Sequence, residues 1–379
     1  MDTAGVYIHI PFCRSRCSYC DFATGLHEDT LASRYVHAVA KEIRTSTLVA
    51  LDQPGIDTIY FGGGTPSLLK SEQLESLLSA VKNRFEVAEN VEITMEMNPG
   101  TVNPELLTHF RELGVNRASF GAQTFDDKEL ARLGRSHTTA DNFKTFSDLR
   151  EAGFDNVSFD LIAGLPGQTM ERWQHNVDKA LALRPEHLSF YLLEVHEGTP
   201  LAEHIRRGIQ PKPDEDLAAR MYEWMLERAS VAGYEHYEIS NLCLPGFESR
   251  HNTKYWTGAP YFGFGCSAHS YDGHDRRWSN ERDIKRYLTA VESDRSPVVE
   301  QQMLSPNEQR SEAVFLRLRL MRGVDTEHYQ RSFGVDLRST FQQELERFID
   351  AGLVTVEGNR LKLTRAGALM SNEVFAAFV

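Results

Sequence analysis

Six short β-rich apolar segments recur in the first half of the chain, and each is followed by a longer stretch with helical periodicity. The segments are GVYIHI (5–10), IDTIYF (56–61), VEITMEM (91–97), RASFGA (117–122), NVSFDLIAG (156–164) and HLSFYLLEV (187–195). The intervening stretches are long enough for helical crossovers, so the alternation predicts βα units around a parallel sheet. A closed barrel of this kind needs eight such units. The sequence therefore predicts an α/β fold, either a partial (β/α)6 barrel or an open sheet.

Helix start signals support this alternation. Asp126 stands three residues before Glu129 in DDKEL, and Ser71 precedes EQLESLLSAV. Side chains of these types accept hydrogen bonds from the free N–H groups of a first helical turn. We therefore expect helices to begin at both places.

The composition of the sequence changes at residues 243–281, which are rich in glycine and aromatic residues and have no helical period. We expect loops there, packed against something flat or bulky. SDRSP at 293–297 has the composition of a linker. The predicted domains are a barrel at 1–235, a connecting region at 236–297 and a C-terminal domain at 298–379.

The C-terminal region predicts a small domain of helices and a hairpin. A capping box at 305–308, with proline at the first helical position, begins one helix. STFQQELERFIDAG predicts a second helix that ends at Gly352, and LVTVEGNRLKLT predicts two strands joined around Gly358 and Asn359. This combination is typical of a winged-helix-like domain.

The composition indicates a globular protein with a large core, since 41% of the 379 residues are hydrophobic and 25% are charged. No run approaches the roughly 18 apolar residues of a membrane span. MDTAGVYIHIPF lacks the basic start and apolar core of a signal peptide, so we expect a cytoplasmic location. The net charge of −13 argues against phosphate-backbone binding, and residues 305–379 carry ten basic and ten acidic side chains. We expect no nucleic-acid partner.

Three of the five cysteines, Cys13, Cys17 and Cys20, lie together just after the first predicted strand. A reducing cytosol disfavours a disulfide framework, and a closed zinc site needs four ligands, usually in two separated pairs. A cubane iron–sulfur cluster ordinarily takes four thiolates, so three leave one iron open. Arg14 and Arg16 between the cysteines argue against buried core thiols. The spacing therefore favours a cluster with an open iron.

Polar residues end three successive predicted strands, namely Glu96, Gln123 and Asp160. Parallel barrels place their sites at these strand ends. GGGTPS at 62–67 is neither a P-loop nor a dinucleotide motif, but its glycines let the backbone approach a ligand closely. Carboxylate and amide oxygens suit a ligand with an amine and hydroxyl groups. An ordinary turn and satisfied strand residues are the alternatives that the residues alone leave open.

The cysteine spacing, Tyr19 before the third cysteine, and GGGTPS resemble the radical S-adenosylmethionine (SAM) family. YIHIPFC, DFA, EMNPG, GAQTF, LGRSH, DLIAGLPGQT and HNTKYW narrow the resemblance to its oxygen-independent coproporphyrinogen oxidase-like members, and among these to a haem chaperone branch. The resemblance covers nearly the whole chain. It implies a radical SAM barrel whose [4Fe–4S] cluster is bound by the three cysteines and holds SAM on the open iron. It also implies SAM contacts from Tyr7, Tyr19, Gly63, Gly64, Thr65, Glu96, Gln123, Arg135 and Asp160.

Two departures separate the chain from the coproporphyrinogen dehydrogenases of that family. Those enzymes have a fourth cysteine two residues after the third, where this chain has Phe22, and an N-terminal extension, whereas six residues precede Tyr7 here. Both departures count against oxidative decarboxylation of coproporphyrinogen III, which stays the alternative. The resemblance favours a haem chaperone that delivers haem to apo-haemoproteins, with respiratory-chain proteins at the inner membrane as candidate recipients. It leaves peripheral membrane association and a homodimer open.

The HNTKYW motif points to haem within this resemblance. His251 is the expected axial ligand, and Tyr255 and Trp256 can stack on a porphyrin face. Taken alone, a histidine beside aromatic residues is an ordinary structural feature. Cys266 and His269 are the alternative ligands.

Overall fold

The structure, a computed structural model, describes residues 3–49 and 55–378. Its strands are β1 (Ala4–Ile10), β2 (Phe12–Cys13), β3 (Gly25–Leu26), β4 (Ile56–Gly63), β5 (Val87–Met97), β6 (Arg117–Gln123), β7 (Val157–Ala163), β8 (His187–Leu192), β9 (Glu235–Glu238), β10 (Asn241–Cys243), β11 (Tyr261–Phe264), β12 (His269–Tyr271), β13 (Arg276–Asn280), β14 (Val298–Met303), β15 (Val324–Asp325), β16 (Val354–Glu357) and β17 (Arg360–Leu363).

The helices, also numbered along the chain, are α1 (Asp29–Thr45), α2 (Ser71–Arg84), α3 (Pro104–Glu112), α4 (Asp127–Arg132), α5 (Thr139–Glu151), α6 (Met170–Leu183), α7 (Pro200–Arg206), α8 (Glu215–Val231), α9 (Arg250–Thr257), α10 (Ile284–Glu292), α11 (Pro306–Leu318), α12 (Thr326–Phe333), α13 (Leu337–Thr340), α14 (Gln342–Asp350), α15 (Arg365–Leu369) and α16 (Ser371–Ala376). None of them, within the described ranges, is long and apolar enough to cross a membrane.

One twelve-stranded sheet dominates the fold, in the order β14-β13-β12-β11-β1-β4-β5-β6-β7-β8-β10-β9. The six predicted strands are β1, β4, β5, β6, β7 and β8, and neighbours among them pair in parallel. β11 adds to the outer edge of β1 in parallel, and the remaining strands extend both ends antiparallel. Within the described residues the sheet stays open, because its two end strands, β14 and β9, do not pair with each other. The predicted α/β fold is confirmed.

The central strands are buried on both faces, with apolar side chains on one and polar side chains on the other. On β6, Ala118 and Phe120 belong to the main hydrophobic core, in which the helices pack. Arg117 and Ser119 alternate with them and point to the opposite face, yet both are buried. Glu96 on β5 pairs with Ser119, so it lies on this polar face. The sheet therefore has an inner polar surface suited to a ligand.

The C-terminal residues build a second hydrophobic core around Leu318, Leu345 and Leu361, with helices α11–α16 beside a three-stranded sheet. The capping box at Ser305 is confirmed. The Ser305 hydroxyl accepts a hydrogen bond from the Glu308 N–H, and the Glu308 carboxylate accepts one from the Ser305 N–H. The β16–β17 hairpin is also confirmed. A C-terminal domain of mixed sheet and helices is therefore present.

Two local expectations need correction. The helix predicted up to Gly352 is split at Phe341, which leaves helical geometry while its ring packs edge-on against Phe378 at 5.2 Å. Asp126 caps α4 as expected, but Ser71 is the first residue of α2 and Lys70 is its cap.

Residues 243–281 were expected to form loops. They contain one helix and three strands instead, namely α9, β11, β12 and β13. The Ser249 side chain accepts a hydrogen bond from the Asn252 N–H to begin α9, and Gly258, at φ 71°, ends it. Elements of three to eight residues are too short to show a period. The linker predicted at 293–297 joins α10 to β14 within the main sheet. The three domain limits stay a prediction.

Candidate functional site

The cysteine loop is clamped to the ends of the central strands by backbone hydrogen bonds. β2 and β3 pair Cys13 with Leu26, and the His27 N–H donates to the Cys13 carbonyl at 2.9 Å. Further along, the Ser18 N–H donates to the carbonyl of Leu133, just past α4, at 2.9 Å. Backbone hydrogen bonds thus hold the loop at Cys13, where it begins, and at Ser18, near its middle. These contacts fix the three thiols relative to the sheet.

A cavity of about 530 Å³ lies between this loop and the polar face of the sheet. Its lining includes the three cysteines and every predicted SAM residue except Tyr7 and Thr65. Residues of the C-terminal domain, among them Leu369 and Asn372, also line it. The cavity therefore joins the cysteine loop, the strand ends and the C-terminal domain.

The GGGTPS motif lets β4 end directly against the cysteine loop. A side chain at Gly64 would approach the Phe12 carbonyl oxygen to 2.8 Å and Cys13 Sγ to 3.0 Å. Gly63 has φ 113°, a conformation that favours glycine, and a Cβ there would meet the His9 ring at 2.5 Å. The glycines are thus required for the close approach of strand and loop.

Two acidic side chains, Glu96 and Asp160, line the cavity from neighbouring parts of the sheet. Burial raises the pKa of Glu96 to about 7, although hydrogen bonds from the Tyr60 hydroxyl at 2.7 Å and the Gly63 N–H at 3.0 Å favour its ionised form. Burial also raises the pKa of Asp160. Desolvated carboxylates of this kind suit a cationic ligand group, which would hold both of them ionised.

Arg135 and Thr65 each contact one of the cysteine thiols. The Arg135 guanidinium lies 3.4 Å from Cys17 Sγ and donates to the side-chain oxygen of Asn98 at 2.8 Å. The buried Thr65 hydroxyl lies 3.5 Å from Cys13 Sγ and accepts from Asn98 at 2.7 Å. Both residues therefore support the thiols, and Thr65 does so without lining the cavity.

Gln123 reaches the cavity because β6 is irregular at its end. The register between β6 and β7 shifts between Phe120 and Gln123, and Gln123 has φ 62°. A non-glycine residue in this region is strained, a feature that clusters at binding sites.

Arg117 is the residue that sequence reasoning missed. It is 1% exposed on the inner face of β6, and its Nε has no hydrogen-bond partner among the described residues. Its positive charge lowers the pKa of both Glu96 and Asp160, against the larger effect of burial. The alternation in RASFGAQ, which places Arg117 on the same face as Ser119, was the available signal.

Tyr7 lies apart from the rest of the predicted SAM set. Its hydroxyl is 3.0 Å from His9 Nδ1, and its ring stacks on that of Tyr60 at 6.0 Å. It lines a different, smaller cavity. Contact between Tyr7 and SAM stays a prediction.

His251 is completely buried. Its Nδ1 lies 2.9 Å from the Thr58 hydroxyl and its Nε2 lies 2.9 Å from the Tyr255 hydroxyl, so both ring nitrogens are occupied. Burial lowers its pKa to about 3, which keeps the ring neutral. Cys266 is also buried, with Sγ 3.4 Å from the Tyr35 hydroxyl. His269, by contrast, is exposed.

The donor set fits a cluster with one open iron. Within 3–49 and 55–378, no group of three or more His, Cys, Asp or Glu side chains is arranged to hold a single metal ion, and this includes the cysteine triplet. A cluster of four irons is larger than one ion, and three thiols on the wall of one large cavity supply its usual ligands. Glu96 and Asp160 line the same cavity and are available to a second ligand group beside the cluster.

The comparisons with known proteins agree with this architecture. A family model described as the Radical SAM superfamily matches residues 7–180, and one described as the HemN C-terminal domain matches residues 304–370. The solved structure of coproporphyrinogen III oxidase (HemN) from Escherichia coli has a TM-score of 0.86 and 22% sequence identity, covering 99% of this chain and 90% of that chain. This likeness shows a shared fold.

Curated relatives narrow the family. The heme chaperone HemW of Bacillus subtilis is 37% identical over 374 residues, which is 98% of each chain. The protein of the same name from Escherichia coli is 30% identical over 383 residues, covering 99% of this chain and 97% of the relative. The resemblance inferred from the motifs is confirmed. This chain belongs to the radical SAM family whose curated members are named heme chaperone HemW.

Proposed function

We propose that this protein is a haem chaperone: it binds haem and delivers it to apo-haemoproteins, and it holds a [4Fe–4S] cluster and SAM beside the cargo. The observation that carries the proposal is the full-length similarity to proteins named heme chaperone HemW. Phe22 at the position of the fourth cysteine of the decarboxylating enzymes supports the choice of carrier over decarboxylase. Delivery to respiratory-chain proteins at the inner membrane, from a cytoplasmic location, belongs to the same proposal, as does a homodimer.

The chain's own residues have clear parts in this proposal. Cys13, Cys17 and Cys20 would bind three irons. Glu96 and Asp160 would receive the amino and hydroxyl groups of SAM, and Arg135 would stabilise the adjacent thiolates. When bound, a reduced cluster of this kind would supply an electron for the reductive cleavage of SAM. The C-terminal domain would exclude water from one side of the cavity.

The cluster is tested by anaerobic reconstitution of the full chain. We expect the wild-type protein to bind about four irons with the electron paramagnetic resonance spectrum of a reduced [4Fe–4S] cluster. Cys13→Ala, Cys17→Ala and Cys20→Ala should each lose it. Cys243→Ser, a change at a buried cysteine outside the loop, is the matched control. Full iron content in the three loop variants would contradict the assignment.

The carrier and the decarboxylase are separated by parallel assays of one reconstituted sample. Absorbance titration should show saturable haem binding, and mass spectrometry with coproporphyrinogen III, SAM and a reductant should show no decarboxylated product. Transfer is then followed as recovered absorbance of an added apo-haemoprotein. Stoichiometric conversion to protoporphyrinogen would replace the carrier by the alternative enzyme.

A further inference from the structure

A second cavity, of about 350 Å³, lies beside the cofactor cavity. Asp21 and Phe22 line both cavities, so the segment just after Cys20 forms the wall between them. Strand alternation places Tyr261 and His269 on one face of the sheet, and both line this second cavity. It therefore lies where the open sheet continues past β1.

The walls of this second cavity are largely aromatic. Tyr255 and Tyr261 pack edge-to-face, with ring centroids 4.6 Å apart. Phe22 leaves 64% of its surface exposed, so its ring is available to a ligand in this cavity. Flat aromatic walls with an uncovered apolar side chain fit a flat, largely apolar ligand.

His269 is the histidine of this cavity whose ring is free to bind. Neither of its ring nitrogens is hydrogen-bonded within the part of the chain that the structure describes, whereas His9 bonds Tyr7 and the Ala23 carbonyl. Although His269 is exposed overall, desolvation by the groups packed around its ring lowers the pKa, against a smaller opposing effect of Glu300, which favours the neutral imidazole. A neutral imidazole is a common axial ligand of haem iron.

Arg282 supplies a positive charge at the same cavity. It donates one hydrogen bond to the Asp21 carbonyl at 2.6 Å, and it forms no ion pair with a carboxylate among residues 3–49 and 55–378. A guanidinium has five N–H donors, so several remain for a carboxylate on a ligand.

We propose that this second cavity is the haem docking site, with His269 as the axial ligand, Arg282 paired to a propionate, and Phe22, Tyr255 and Tyr261 against the macrocycle. The inference rests on the proposed haem chaperone function and locates its cargo. It places haem next to the cysteine loop, separated from the cofactor cavity by Phe22. It also differs from ligation by His251, whose nitrogens are both occupied.

The test is a titration of the reconstituted full chain with ferric haem, followed by absorbance. His269→Ala should shift the Soret band and weaken binding about tenfold or more. Arg282→Gln should weaken haem binding about tenfold but leave binding of the haem dimethyl ester unchanged, because the ester has no propionate charge. His175→Ala and Arg322→Gln, at exposed positions elsewhere, are the matched controls and should behave as wild type.

The outcomes separate the two proposals. Wild-type protein that binds no haem would refute the chaperone function itself. Wild-type binding that survives both substitutions with an unchanged spectrum would refute this site and leave the chaperone function standing. Thermal unfolding and cluster absorbance check that each variant is folded, and His269→Gln, which keeps a polar side chain, replaces the alanine variant should that one unfold.

Discussion

At the scale of single residues, Glu96 is a buried carboxyl group on the wall of the large cavity, where the proposed function places the amino group of SAM. Its pKa is raised to about 7 by burial, so near neutral pH part of the protein holds a neutral carboxyl group there. An ammonium group binds the ionised form better and should displace the proton. We expect SAM affinity to rise as the pH increases through about 7, and Glu96→Gln to remove this dependence. Equilibrium dialysis across that range measures it, and a flat wild-type profile would refute the assignment.

His251 is a residue whose structural role can be separated from ligation. Removing its ring leaves a buried space and deprives the Thr58 and Tyr255 hydroxyls of their partner. We expect His251→Ala to lower the free energy of unfolding by about 2–4 kcal/mol. Tyr255→Phe, which removes one hydrogen bond, should cost about 1 kcal/mol. Urea denaturation compares them. Unchanged stability of His251→Ala together with lost haem binding would show that His251 is a ligand instead.

At the scale of elements, Glu42 ties α1 to the strands beyond β1. Its carboxylate accepts hydrogen bonds from the Tyr287 hydroxyl and Asn280 Nδ2, each at 2.6 Å, and from the Gly265 N–H at 2.9 Å. These partners come from α10, β13 and the segment after β11. Burial is the largest influence on this group and raises its pKa to about 7.

The raised pKa of Glu42 makes stability depend on pH. The folded state holds this proton more tightly than the unfolded state, so the contribution is complete below about pH 4.5 and is lost as the pH rises through about 7. We expect the free energy of unfolding to fall across this window by at most about 1.4 kcal/mol per pH unit from this group. Glu42→Gln should have a smaller slope in urea denaturation. Glu72→Gln, at an exposed position on α2, is the control, and equal slopes in all three proteins would contradict the prediction.

Pattern length explains which elements the sequence predicts. The six central strands are six to eleven residues long and are separated by helices, so their periodicity is visible. α9 has eight residues and the three strands after it have three to five, too few to show a period, and their neighbours in space are distant in sequence. Their positions depend on tertiary contacts, such as that between His251 and Thr58, which no local pattern records.

The site divides in the same way. Cys13, Cys17 and Cys20 lie within one eight-residue stretch, so their spacing predicted a common site. Arg117 looked like an ordinary charged residue, because only its place on the inner face of the sheet buries it. The second cavity combines a residue after the cysteine loop with residues such as His269 and Arg282, far along the chain. Such long-range combinations become visible only once strand order is known.

At the scale of the whole molecule, Arg319 links the two hydrophobic cores. Its guanidinium lies 2.7 Å from the fully buried Glu238 carboxylate and 4.2 Å from the centroid of the Trp256 ring. The Arg319 carbonyl also accepts from the Ile239 N–H at 3.1 Å. The HNTKYW motif thus supports the contact between the main sheet and the C-terminal domain.

Breaking this link should weaken the whole chain. Arg319→Ala leaves the buried Glu238 charge without its cation, so we expect a loss of about 3–5 kcal/mol in the free energy of unfolding. Arg322→Ala, at an exposed position nearby in sequence, should change little. Differential scanning calorimetry measures both, and it also reports whether the domains then unfold separately. A variant as stable as wild type would show that the link contributes nothing.

The order of strands also has a consequence for synthesis. β1 is made first, but its partner on one side, β11, follows about two hundred and fifty residues later, since Gly5 pairs with Tyr261. Until then one edge of β1 has no strand beside it, and its buried residues Val6, Ile8 and Ile10 lack their final cover. The nascent chain therefore exposes an unpaired strand edge next to its cysteine loop for most of translation. A chain whose synthesis stops before β11 is more prone to aggregate than the full-length chain.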